Sequence, residues 1–146
     1  MAPKYHFTAS FLLAVIFYYS FNDLNYSLIA IITGFLIDFD HILEFFYNQP
    51  QNFWRLKIAL SGHHFQQAGK IRVWFHAWEY LIIWTAIWLW QGWYKIGLIT
   101  SLPYFSHLLM DHFGNETCGP FYFLLYRLKN NFDIRKLCRK LCQKPQ

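Results

Sequence analysis

Charge is scarce in this sequence. Asp, Glu, Lys and Arg make up 14% of its 146 residues, against roughly 25% in an ordinary globular domain. Cysteine is scarce too. Cys118, Cys138 and Cys142 are an odd set with one pair four residues apart, which argues for reduced thiols and against a disulfide scaffold. A glycine-rich phosphate loop, a Gly-x-Ser-x-Gly elbow and a Cys-x-x-Cys pair are all missing, so the nucleotide-binding, serine-nucleophile and thiol-redox signatures are lacking. Internal repeats and low-complexity tracts are absent as well. No small-x-small cleavage site follows FLLAVIF, so the apolar N-terminal stretch reads as an uncleaved anchor, not a signal peptide.

What the chain has in quantity is apolar and aromatic surface. Apolar residues are 55% and aromatics 23% of the total. The mean hydropathy of +0.15 hides four greasy segments, Phe7–Phe21, Tyr26–Ile37, Tyr80–Trp90 and Ile96–Met110. Each is short of the ~20 residues a membrane span needs, but adjoining turns extend them. Trp74, Trp78, Trp90 and Trp93 flank the third segment like an interfacial belt. Basic residues gather on alternate connections: Arg55, Lys57, Lys70 and Arg72 on one, and Arg127 through Lys144 after the last segment. By the positive-inside rule this predicts an all-α, four-helix transmembrane bundle, multi-pass with both termini cytoplasmic. The bundle takes residues 1–119, with a polar cytoplasmic loop holding a short helix over Phe53–Leu60. Residues 120–146 form a basic amphipathic tail for the membrane surface, with membrane lipids as its partners. The bases follow membrane sidedness, so nucleic acid is not expected as a partner.

On that topology the ionisable residues converge. His6 starts the first segment, and Asp38, Asp40 and His41 close the second. His76 and Glu79 open the third, and His107 and Asp111 close the fourth. All fall at one end of the bundle. His107 and Asp111, four apart, share one helical face. Acids and imidazoles among apolar residues are costly unless paired or coordinated. Mixed nitrogen and oxygen donors suit zinc or another divalent first-row metal, as one ion or two. Each pair has a plainer reading, since Asp38 and Asp40 would serve as helix caps and His76 with Glu79 as an interfacial hydrogen bond. His63, His64 and His112 carry no assigned role.

The stretches IDFDH, RVWFHAWE and YFSHLLMDHFG resemble the predicted membrane-bound metal-dependent hydrolases, small bacterial inner-membrane proteins. The resemblance covers residues 6–114 and implies metal ligands at His6, Asp38, Asp40, His41, His76, His107 and Asp111, with Arg72 in the central element. The chain departs from the family at Ile37, Ile71, Phe75 and Ala77, where Pro, His, Thr and Ser are usual. The combined expectation is a divalent-metal hydrolase acting on an ester or phosphoester of a lipid or amphiphile, with Glu79 as general base. The alternative is a non-catalytic anchor or interaction protein whose polar cluster staples helix ends together.

Overall fold

The computed structural model describes residues 3–48, 65, 68–115, 117 and 120–137. They build seven helices and no strand beyond one isolated bridge, Lys70 to Asp133. The long ones are α1 (Pro3–Phe21), α2 (Leu24–Leu36), α3 (Phe39–Asn48), α4 (Trp78–Trp90) and α5 (Tyr94–Gly114). Two short ones follow, α6 (Leu124–Lys129) and α7 (Ile134–Leu137). The all-α expectation holds for the described residues.

The helices start and stop for local reasons. Asp23 caps α2 by accepting the Asn25 N–H at 2.8 Å, and Asn22, at φ +50°, makes the tight turn from α1. A turn this short lays α1 antiparallel on α2. Gly92, at φ +72°, lets α4 reverse into α5. Helix α5 then packs on α4, α2 and α1 together. Gly34 sits where α1 and α2 press closest. A Cβ there would lie 2.0 Å from Ser10 Oγ, so only hydrogen fits.

Two apolar clusters fill the interior. Ala14, Phe17, Ala30 and Ile99 form one between α1, α2 and α5. The other unites Val73, Leu81, Leu108, Phe121 and Tyr122 with Ile134 and Leu137. Of the tail thought to lie on a membrane, Ile134 and Leu137 thus sit in the core, and Arg127 is fully buried. Residues 138–146 and the Phe53–Leu60 segment lie outside the described residues, as do His63 and His64.

The transmembrane expectation does not survive. Helices α2 and α4 have 13 residues each, about 20 Å at 1.5 Å per residue against a ~30 Å hydrocarbon core. The longer α1 and α5 are diluted by Lys4, His6 and Ser10 and by Lys95, Thr100, His107 and Asp111. No helix among the described residues is long and apolar enough to cross a membrane. The four spans, the multi-pass inner-membrane placement and the cytoplasmic termini are corrected accordingly. The hydropathy signal came from helices that are apolar on their outer faces too: Leu12, Ile16, Ile32, Ile82 and Trp90 are all exposed.

Candidate metal centre

Four elements deliver polar side chains to one buried point. Helix α1 brings His6 near its start, and α5 brings His107 and Asp111 on one face. The turn between α2 and α3 brings Asp38. The irregular segment 71–77, just before α4, brings His76. All five are buried.

Their donor atoms are close. His76 Nε2 lies 3.2 Å from His107 Nε2, 3.2 Å from Asp111 Oδ2 and 3.6 Å from Asp38 Oδ1. His107 Nε2 is 3.4 Å from Asp38 Oδ1 and 3.5 Å from Asp111 Oδ2. Four donors bound tetrahedrally at ~2.0–2.1 Å stand ~3.3–3.4 Å from one another. The observed separations bracket that value, so these groups can hold a metal ion. Overlapping triads of His6, His107 and Asp111, of Asp38, His76 and His107, and of Asp40, His41 and His76 all meet the spacing a cation needs.

The far side of each ring is also committed. His107 Nδ1 is 3.0 Å from the Gly34 carbonyl. A carbonyl only accepts, so Nδ1 carries a proton and Nε2 is the atom turned towards the other donors. His76 Nδ1 is 3.0 Å from Asp40 Oδ2, the carboxylate–histidine pairing that fixes a ligand's tautomer. Asp111 Oδ1 accepts Asn115 Nδ2 at 2.9 Å and stands 3.1 Å from His6 Nε2. The His6 ring stacks on His107 with centroids 4.0 Å apart. His41 lies edge-on to His76, 3.9 Å from Asp38 Oδ1. The Nδ1 atoms of His6 and His41 are buried with no hydrogen-bond partner among the described residues.

Without a cation the cluster is tightly coupled electrostatically. Burial opposes ionisation of Asp38 and Asp111, yet hydrogen bonds from His107 and its neighbours outweigh it and hold both carboxyls far below the usual range. Burial likewise disfavours a charged His76 or His107. The surrounding carboxylates, Asp40 foremost for His76 and Asp111 for His107, more than compensate and raise both. His41 goes the other way. Burial and the neighbouring His76 push it down to about 4.

The segment carrying His76 is clamped along its backbone. Glu44 accepts the N–H groups of Arg72 and Val73, each at 2.9 Å. Asp40 Oδ2 accepts the Phe75 N–H at 2.8 Å, and the Tyr104 hydroxyl donates to the Phe75 carbonyl. The buried Arg127 guanidinium donates to the carbonyls of Arg72, Val73 and His76 at 2.6–2.9 Å. Val73 is held at φ +27°. That conformation is strained for a β-branched residue and costs about 1–3 kcal/mol. Strain of this kind persists only where surrounding bonds over-determine it.

Helix α3 consequently buries acids beside Phe45. Its inner face carries Asp40, His41 and Glu44 towards this network, while Phe39, Leu43 and Tyr47 are exposed.

Glu79, expected as a general base, has both oxygens engaged elsewhere. They accept the N–H groups of Leu124 and Leu125 at 2.9 and 3.1 Å and so cap α6. No described contact joins Glu79 to the cluster. His112 is exposed and meets Trp78, Phe113 and Tyr122. Arg72 packs over Tyr47 and lies 3.8 Å from Glu44. Sequence reasoning missed Arg127, Tyr104, Asn115 and the role of Glu44. A buried arginine in a basic tail leaves no sequence mark, whereas the i, i+4 spacing of Asp40 and Glu44 is a signal that could have found their shared inward face.

No protein-family model matches the chain, and neither does any curated protein or solved structure.

Proposed function

We propose that the protein is a divalent-metal-dependent hydrolase, with zinc as the cation and an ester or phosphoester as the substrate. The observation that carries this reading is the facing pair of imidazole nitrogens at 3.2 Å. With Nδ1 of His107 donating to a carbonyl and Nδ1 of His76 to a carboxylate, two lone pairs would oppose each other unless a cation or an added proton lies between them. Asp38 and Asp111 complete a two-imidazole, two-carboxylate set that balances a divalent charge. When bound, the ion would polarise a carbonyl or phosphoryl oxygen as a Lewis acid.

The chain's own groups would do the rest. Asp40 and the Gly34 carbonyl hold the rings in register. The burial of His6, His76, His107 and Asp111 keeps bulk water from most of the donors and so strengthens the charge interactions among them. The resemblance of IDFDH and YFSHLLMDHFG to motifs of the predicted metal-dependent hydrolases supports the same chemistry.

A second reading is a non-catalytic staple, in which protonated His76 and His107 pair with Asp38 and Asp111. The raised histidines favour it. A hydrolysis screen of the zinc-loaded protein on p-nitrophenyl esters of increasing chain length and on bis-p-nitrophenyl phosphate separates the two. The hydrolase reading expects turnover of at least one probe, lost in His107→Ala and Asp111→Asn. Turnover unchanged in both variants would leave the staple.

A further inference from the structure

The four donors are not held alike, and the difference indicates which one gives way. His76 is fixed through Asp40 and through a backbone clamped by Glu44 and Arg127. His107 is fixed by the Gly34 carbonyl, and Asp111 by Asn115 and His6. Asp38 has no such support. It lies in the two-residue turn between α2 and α3. Among the described residues its carboxylate meets only imidazoles of the cluster. Among the described residues no side-chain amide and no backbone N–H is bonded to it.

Exposure singles out the same corner. The Asp38 side chain is 11% exposed, against 2% for His76, 1% for His107 and 4% for Asp111. The neighbouring His41 is 22% exposed. Solvent therefore touches the cluster on the side of Asp38 and His41. Zinc sites that only brace a fold are closed by four protein ligands, whereas catalytic ones keep three and leave one position to exchange.

Building on the metal-dependent reading above, we infer that Asp38 is the exchangeable corner of the donor set. It is the position a substrate oxygen enters, while His76, His107 and Asp111 are the permanent ligands. A swing of the Asp38 side chain alone vacates the corner and leaves the backbone bonds of the turn, Asp38 N–H to the Phe35 carbonyl and His41 N–H to the Asp38 carbonyl, in place. Entry from this side also brings a substrate past Phe39, the exposed aromatic beside Asp38.

The test uses the full chain loaded with cobalt(II), whose visible absorption reports coordination, and azide as the entering probe. Asp38→Ala is expected to keep cobalt with Kd raised less than about tenfold and to bind azide at least tenfold more tightly than the parent. Asp111→Ala is expected to lose cobalt affinity by more than about a hundredfold. Asp38→Asn provides the same readouts if the alanine variant does not fold. Cobalt lost from the Asp38 variants as fully as from Asp111→Ala, with native circular dichroism, would overturn the assignment. So would azide bound no more tightly. A parent protein that takes up no cobalt would remove the metal reading itself, an outcome distinct from either.

Discussion

His76 Nε2 and His107 Nε2 face each other across 3.2 Å, although the residues are 31 apart in sequence. One sits in an irregular segment and the other in the middle of a helix turn of α5, so only the tertiary fold makes the pair. Replacing either imidazole removes a donor and leaves its partner with a poorer cage. His76→Ala and His107→Ala should each weaken zinc binding by more than a hundredfold in isothermal calorimetry. Wild-type affinity in both would mean that the pair does not bind metal.

Among the described residues Asp40 is hydrogen-bonded to the cluster through His76 Nδ1, on the far side of the ring from His107, so its effect should be smaller and graded. Loss of a carboxylate behind a ligating histidine typically costs ten- to a hundredfold in metal affinity. Asp40→Asn keeps the shape and an acceptor for the Phe75 N–H, but it removes the charge behind the ring. We expect a zinc Kd raised about tenfold, with a melting temperature near that of the parent. Direct ligation by Asp40 would show instead as a loss equal to that of His107→Ala.

Arg127 and Glu79 offer a contrast in stability. Arg127→Met removes the guanidinium donors of three carbonyls in the His76 segment, of which Val73 keeps the His76 N–H as a partner. Unpartnered buried acceptors cost roughly 1–3 kcal/mol each before any relaxation, so with two left bare urea unfolding should report at least about 2 kcal/mol lost. Glu79→Gln weakens only the cap of α6, worth about 1 kcal/mol, and zinc affinity should not change. A large loss of metal affinity in Glu79→Gln would restore its expected role in the site.

Protons and metal compete for the same nitrogens, which fixes the pH dependence. In the metal-free protein His76 and His107 are raised above their ordinary 6.5. The stability they contribute is full below 6.5 and is lost as pH rises through their folded values. His41, depressed to about 4, acts oppositely: stability falls as pH drops from 6.5 towards 4, because only the unfolded chain takes that proton. Asp38, Asp40 and Asp111, lowered from 3.8, add stability that disappears in stronger acid. The metal-free protein should therefore be most stable near pH 6.5, falling by up to about 1.4 kcal/mol per pH unit for each proton on either side. Zinc replaces the protons on His76 and His107, so the alkaline decline should vanish on loading. Melting curves from pH 5 to 9 with and without zinc check this, and parallel profiles would contradict it.

Much of the site could be read from the sequence, because its parts break an apolar background. His107 and Asp111 interrupt α5 at i, i+4, and Asp38, Asp40 and His41 interrupt the boundary of α2 and α3. Such interruptions are expensive unless the fold repays them, and that physical rule placed them together. The membrane placement failed because hydropathy counts apolar residues without measuring helix length. The run Tyr80–Trp90 is greasy throughout, but the helix containing it stops at 13 residues, turned by Gln91 and Gly92. Glu79 was misread because its partners, the N–H groups of Leu124 and Leu125, lie 45 residues away. Arg127 was invisible for the same reason. Its worth is set entirely by carbonyls on a segment that no local pattern links to it.

Zinc K-edge X-ray absorption on the loaded protein tests the central claim most directly. The account predicts one ion per chain with nitrogen and oxygen donors at ~2.0 Å and the outer-shell scattering of two imidazoles, one of which is lost in His107→Ala. An ion surrounded by oxygen alone, or a folded protein that retains no zinc after dialysis, would contradict it.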